Sequence, residues 1–77
     1  MARQHHRTQD ETIRLILHVV SQSQEPMTRA AICAAIGRHK TPHLIALIDG
    51  LVAAGYLHRS VKTFHNGVQG YVYQMKR

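Results

Sequence analysis

Apolar residues along this chain recur first at helical and then at strand spacing, and the period changes at Gly55. Ile13, Ile16, Leu17 and Val20 stand at i, i+3, i+4 and i+7, with Arg14, His18 and Ser21 on the opposite side. The first element is therefore an amphipathic helix running to about Gln22. Ahead of it, Thr8-Gln9-Asp10-Glu11 has the Thr-x-x-Glu spacing of a capping box, and its two acids fall in the first turn, where the helix dipole favours them. Ser23-Gln24-Glu25-Pro26 ends that helix. A second cap, Thr28, opens a short helix over Arg29 to Ile36 that stops at Gly37. Ile32 and Ile36 are spaced to meet the core, while Ala31, Ala34 and Ala35 are small enough for another helix to cross closely.

The third helix is marked at both ends. Thr41 supplies a side-chain acceptor for the first-turn N–H groups, Pro42 has its φ preset for the first helical position, and Gly55 is suited to the left-handed residue that closes helices. Leu44, Leu47, Ile48 and Leu51 make one apolar stripe and belong to the core. His43, Ile45, Ala46, Asp49 and Gly50 make the other face, left to solvent or to a partner. Only Arg38-His39-Lys40 separates Gly37 from Thr41, which is the tight glycine-containing connection of a helix-turn-helix.

Beyond Gly55 the run from Tyr56 to Phe64 and the run Tyr71-Val72-Tyr73-Gln74-Met75 alternate with period 2 around Asn66-Gly67, the signature of a β-hairpin. Gly70 allows an irregular or wider loop, so a two-residue turn is not required. Tyr71, Tyr73 and Met75 share a face and, with Leu57 and Val61, are expected to close the aliphatic core from below. Residues 1–7 read as a mobile basic arm and residues 8–77 as a single domain.

Composition narrows the picture. At 77 residues, 44% of them hydrophobic with one Phe and no Trp, the chain is near the size at which one core barely suffices, and that core is aliphatic. Ten Lys and Arg oppose four Asp and Glu, and after Glu25 the one remaining acid is Asp49. The C-terminal two-thirds is thus cationic, which favours polyanionic partners, nucleic acid first and anionic membrane second. Cys33 is alone, so neither a disulfide within the chain nor a cysteine-based zinc site can form, and a reducing cytoplasm is the expected compartment. The N-terminal stretch has no apolar leader region, and no apolar run approaches the roughly 20 residues of a spanning helix.

Three helices, the last two tightly joined, and then a hairpin is the order of a winged helix-turn-helix domain, an α+β fold. Thr28-Arg29-x-x-Ile32 followed by Ile36-Gly37, and the run from Leu47 through Gly55-Tyr56-Leu57, resemble the winged-helix regulators of bacteria and archaea, including the MarR-like group. The resemblance covers about two-thirds of the chain. It implies a transcriptional regulator that binds double-stranded DNA with the third helix in the major groove and the wing on the backbone. The candidate DNA contacts are Arg29, Arg38, His39, Lys40, His43, Ile45, Ala46, Lys62, His65 and Asn66.

Members of that group often carry Ser, Thr, Arg, Gln or Lys on the groove-facing surface, where this chain has Pro42, His43, Ile45 and Ala46, then Asp49 and Gly50. Only His43 is a ready donor there, Ile45 and Ala46 can touch thymine methyls, and Asp49 repels phosphate. Phosphate binding is better provided than base reading, so affinity should be salt-dependent with modest sequence preference. Protonation of histidines near pH 6 should tighten anion binding.

Other classes are served less well. The sparse acids, with no nucleophile set beside a base and no glycine-rich phosphate loop, leave no basis for an enzyme. His5-His6 and His39-x-x-x-His43 nominally allow a metal, but no Cys, Asp or Glu completes a tetrahedral set, so no metal or cofactor is expected. Cys33, flanked by Ala and Ile, reads as buried filler. A pocket for a small-molecule effector is not expected at this length. A homodimer would have to use the first helix or the wing strands. The alternatives to DNA are RNA on the same basic face, or a protein partner docking on Ile45, Ala46 and Gly50.

Overall fold

A computed structural model describes residues 9–76. The arm over residues 1–7, with its His5-His6 pair, and the cap at Thr8 lie outside the described residues. The order is α1 (Gln9–Gln22), β1 (Met27–Thr28), α2 (Arg29–Ala35), α3 (Pro42–Ala53), β2 (Leu57–Thr63) and β3 (Gln69–Met75). The strands form one antiparallel sheet in the order β1-β3-β2. This is the expected α+β winged helix, with one strand more than the hairpin. β1 escapes a periodicity reading because two residues are too few to alternate, and Thr28 also caps α2, its side chain accepting from the Ala31 N–H.

Both helix ends flagged by glycine close alike. Gly37 and Gly55 take positive φ, 76° and 91°, and the next residue reaches back five positions: the Arg38 N–H donates to the Cys33 carbonyl and the Tyr56 N–H to the Leu51 carbonyl, each at 2.9 Å. These bonds satisfy the carbonyls a helix end leaves bare. They also set the directions in which the turn after α2 and the strand after α3 depart.

Ile16, Val20, Ile32, Cys33, Ile36, Leu44, Ile48, Leu51, Leu57 and Tyr73 form the core. On α1 the buried line is Thr12, Ile16 and Val20, with Ile13 and Leu17 half-buried, so the helix is rotated slightly from the orientation its apolar stripe suggests. On α3 Leu47 is half-buried and the rest of the stripe is enclosed.

The expected sheet contribution to the core holds at the base of the hairpin and fails beyond it. Leu57 pairs with Met75, Arg59 with Tyr73, Val61 with Tyr71 and Thr63 with Gln69, all on one face of the sheet. Leu57 and Tyr73 are buried, but Tyr71 is 43% and Val61 60% exposed. The reason is reach. β1 pairs with β3 only at Val72 and Tyr73, and farther out the two long strands project alone as the wing.

The loop at the wing tip is longer than the Asn-Gly dipeptide alone would need. The Phe64 N–H donates to the Val68 carbonyl and the Gly67 N–H to the Phe64 carbonyl, both at 2.8 Å, around a left-handed Gly67. This is the three-residue hairpin connection that ends in a positive-φ glycine. Gly70 lies within β3, opposite Lys62, and not in the loop. A Cβ there would stand 3.0 Å from the Phe64 ring, so the missing side chain makes room for that ring to fold over the strand.

Candidate nucleic-acid interface

The start of α3 is built by local chemistry. Thr41 is extended, its Oγ1 accepts from the Leu44 N–H at 3.2 Å, and Pro42 enters the first turn without a wasted donor. His43, Ala46 and Gly50 are then exposed along one side of the helix, and Ile45 beside them is half-buried, so it is less available than the sequence pattern implied. In the turn before the cap, His39 and Lys40 are exposed. Among the described residues, neither joins a salt bridge. Arg38 differs: it is half-buried, and its Nη1 donates to Thr12 Oγ1 at 3.3 Å, tying the turn to α1.

On the wing, Lys62 and His65 are exposed, and the Lys62 ammonium stands 5.7 Å from the centre of the Phe64 ring. The Asn66 side-chain oxygen accepts from the Val68 N–H at 3.1 Å. That half of its amide is committed to shaping the loop.

Between helix and wing lies a cluster that sequence reasoning did not foresee. Asp49 is half-buried, not an open face residue. Its Oδ1 accepts from the Tyr73 hydroxyl at 2.6 Å and from Arg59 Nη1 at 3.3 Å, and its Oδ2 accepts from Arg29 Nη2 at 3.0 Å. Arg29 Nε donates to the Tyr73 hydroxyl at 2.8 Å. One carboxylate thus joins α2, α3, β2 and β3. Any repulsion of phosphate by Asp49 is offset by two adjacent guanidiniums, and Arg29, a candidate DNA contact, has part of its donor set engaged inside the protein.

Electrostatics follow the geometry. Burial opposes the charge on Arg29, but the Tyr73 hydroxyl and Asp49 outweigh it and raise its pKa, so it stays cationic. Burial and the hydrogen bond to Asp49 together push the Tyr73 phenol up, so it remains a neutral donor. Arg59, Tyr71 and Tyr73 are the residues that sequence reasoning passed over here. The available signal was Asp49 itself: a lone carboxylate on the partner face of a cationic domain needs cations, and strand alternation puts Arg59 and Tyr73 on one sheet face.

The other candidate chemistry is quiet. Cys33 is buried and burial raises its thiol pKa, which fits filler and not a reactive thiolate. Among the described residues no three His, Cys, Asp or Glu side chains gather as a metal site, and no helix is long and apolar enough to cross a membrane. A family model described as a winged helix DNA-binding domain matches residues 11–67. No curated protein and no solved structure matches the chain.

Proposed function

This chain belongs to the family of winged helix DNA-binding domains, and from that premise we propose that it is a regulator of transcription that binds duplex DNA, with α3 in the major groove and the β2–β3 wing along the backbone. The observation that carries the reading is the surface around α3. Its outer side is small and uncharged at Ala46 and Gly50, so it can approach base edges closely, and His43 offers the one donor near the helix start. Exposed basic side chains flank it, with Lys40 and His39 before the helix and Lys62 and His65 on the wing. Such an arrangement favours phosphate contacts over bidentate base reading, so binding is strongly salt-dependent and only modestly selective.

The test is fluorescence anisotropy with a mixed-sequence duplex at several salt concentrations, for the wild type and a Lys40→Ala/Lys62→Ala variant. Each phosphate contact adds about 0.9 to the slope of log affinity against log salt, so the variant should be shallower by nearly twice that. A wild type that fails to bind at low salt would sink the reading. Single-stranded RNA bound more tightly than the duplex would move it to the RNA alternative.

A further inference from the structure

The junction between α3 and the wing carries more positive charge than its carboxylate neutralises. Arg29 and Arg59 share Asp49 at 3.0 and 3.3 Å, so the trio keeps one net positive charge. A guanidinium is a fork of several N–H donors. Arg29 uses Nε on Tyr73 and Nη2 on Asp49, while Arg59 uses Nη1 alone. The remaining donors are unspent within the described residues.

Beside these arginines runs a groove of about 420 Å³ lined by Arg29, Val61, Gln69, Gly70 and Tyr71. The guanidinium carbons of Arg29 and Arg59 lie 5.2 and 4.5 Å from the centre of the Tyr71 ring, so the ring steadies both cations. Val61 and Tyr71 are a cross-strand pair on the sheet face that, nearer the body, carries Leu57 and Tyr73 into the core beneath α3. The groove therefore lies along the wing, with Arg29 at the start of α2 completing its wall. Its walls combine fork donors for an anion, an exposed ring and valine for a carbon skeleton, and a glycine that leaves the strand open to close approach.

We propose that this groove seats one phosphodiester of the DNA strand that follows the wing, with Arg29 from its wall and Arg59 from beside the Tyr71 ring donating to its oxygens and Tyr71 and Val61 packing on its sugar. The proposal rests on the DNA-binding reading above and adds Arg59, Val61 and Tyr71 to the contact surface. A guanidinium fork matches two phosphate oxygens at once, which a lysine in the same place does not.

The experiment extends the salt titration to Arg59→Ala, Arg59→Lys and Tyr71→Ser, with Lys40→Ala as reference and a thermal melt of each variant to establish that it is folded. Arg59→Ala should weaken binding about five- to tenfold and flatten the salt slope by about 0.9, the share of one phosphate. Arg59→Lys should keep the slope and lose affinity about threefold for want of the fork. Tyr71→Ser should weaken binding with the slope unchanged. If Lys40→Ala flattens the slope but Arg59→Ala and Tyr71→Ser bind as the wild type does, the proposal falls and the DNA reading stands. If the wild type binds no duplex at all, both fall together. A parallel titration with inorganic phosphate at constant ionic strength should show no saturable binding. Saturation below millimolar concentration, lost in Arg59→Ala, would assign the groove to a free anion and overturn the assignment to the DNA backbone.

Discussion

At the start of α3, His39, Lys40 and His43 stand in solvent with no salt bridge among the described residues, whereas toward its other end Arg29 and Arg59 converge on Asp49 and, through it, on Tyr73. Around one helix there are thus basic side chains that the fold does not use and cations that the fold depends on. Exposed, unpaired charge contributes almost nothing to stability and is available to a ligand. Charge shared through the half-buried Asp49 joins four elements, and removing one member strands the others. The start of the helix is therefore left to a ligand alone, while the Asp49 junction holds α2, α3 and the wing strands together whether or not its spare donors also meet a phosphate.

The largest effect that would break this contrast lies at Tyr73, whose side chain is fully buried. Truncation by Tyr73→Ala should cost about 3–5 kcal/mol in urea unfolding, from lost packing and the cavity left behind. Tyr73→Phe keeps the ring and removes only the hydroxyl shared by Asp49 and Arg29, so its cost should be about 1–2 kcal/mol. Equal costs for the two variants would mean that the hydroxyl, and not the ring, holds the junction. Next comes Asp49→Ala, which leaves Arg29 and Arg59 facing one another. With the carboxylate side chain 28% exposed, solvent screening keeps the loss near 1 kcal/mol, and DNA affinity should not fall, because a negative charge leaves the binding side.

The pH dependence sharpens the same contrast. Tyr73 and Cys33 both have pKa values raised by burial, above ordinary values of 10.0 and 9.0. Each is protonated when folded and gives up its proton more readily when unfolded. The stability they confer is complete below those ordinary values and is lost as pH rises toward their folded ones. Urea midpoints should hold through neutral pH and fall above about pH 9, and Tyr73→Phe should flatten the part of the fall above pH 10. The smallest effect belongs to the other end of the helix: Lys40→Ala should change stability by less than about 0.5 kcal/mol.

The sequence carries the contrast unevenly. Helix starts and stops were readable because Thr28, Thr41, Pro42, Gly37 and Gly55 act through the backbone within a few residues of themselves. The exposed cations of the turn and the wing tip were readable for the same reason, since a charged residue in a short connection has little choice but solvent. What escaped needed the third dimension. Tyr71 and Tyr73 are identical in residue type and phase, yet one is buried and the other exposed, because only the base of the hairpin lies under the helices. Asp49 read as a residue repelling DNA because its partners, Arg29 and Arg59, are 20 and 10 positions away in sequence.

The most direct test of the central claim is a paired measurement on Lys40→Ala and Asp49→Ala: the urea midpoint, and the slope of DNA affinity against salt. The account requires the first variant to flatten the salt slope and leave the midpoint in place, and the second to lower the midpoint without flattening the slope. If Lys40→Ala lowered the midpoint as far as Asp49→Ala and left the slope unchanged, the distinction between a helix start that serves binding alone and an Asp49 junction that holds the fold would be contradicted.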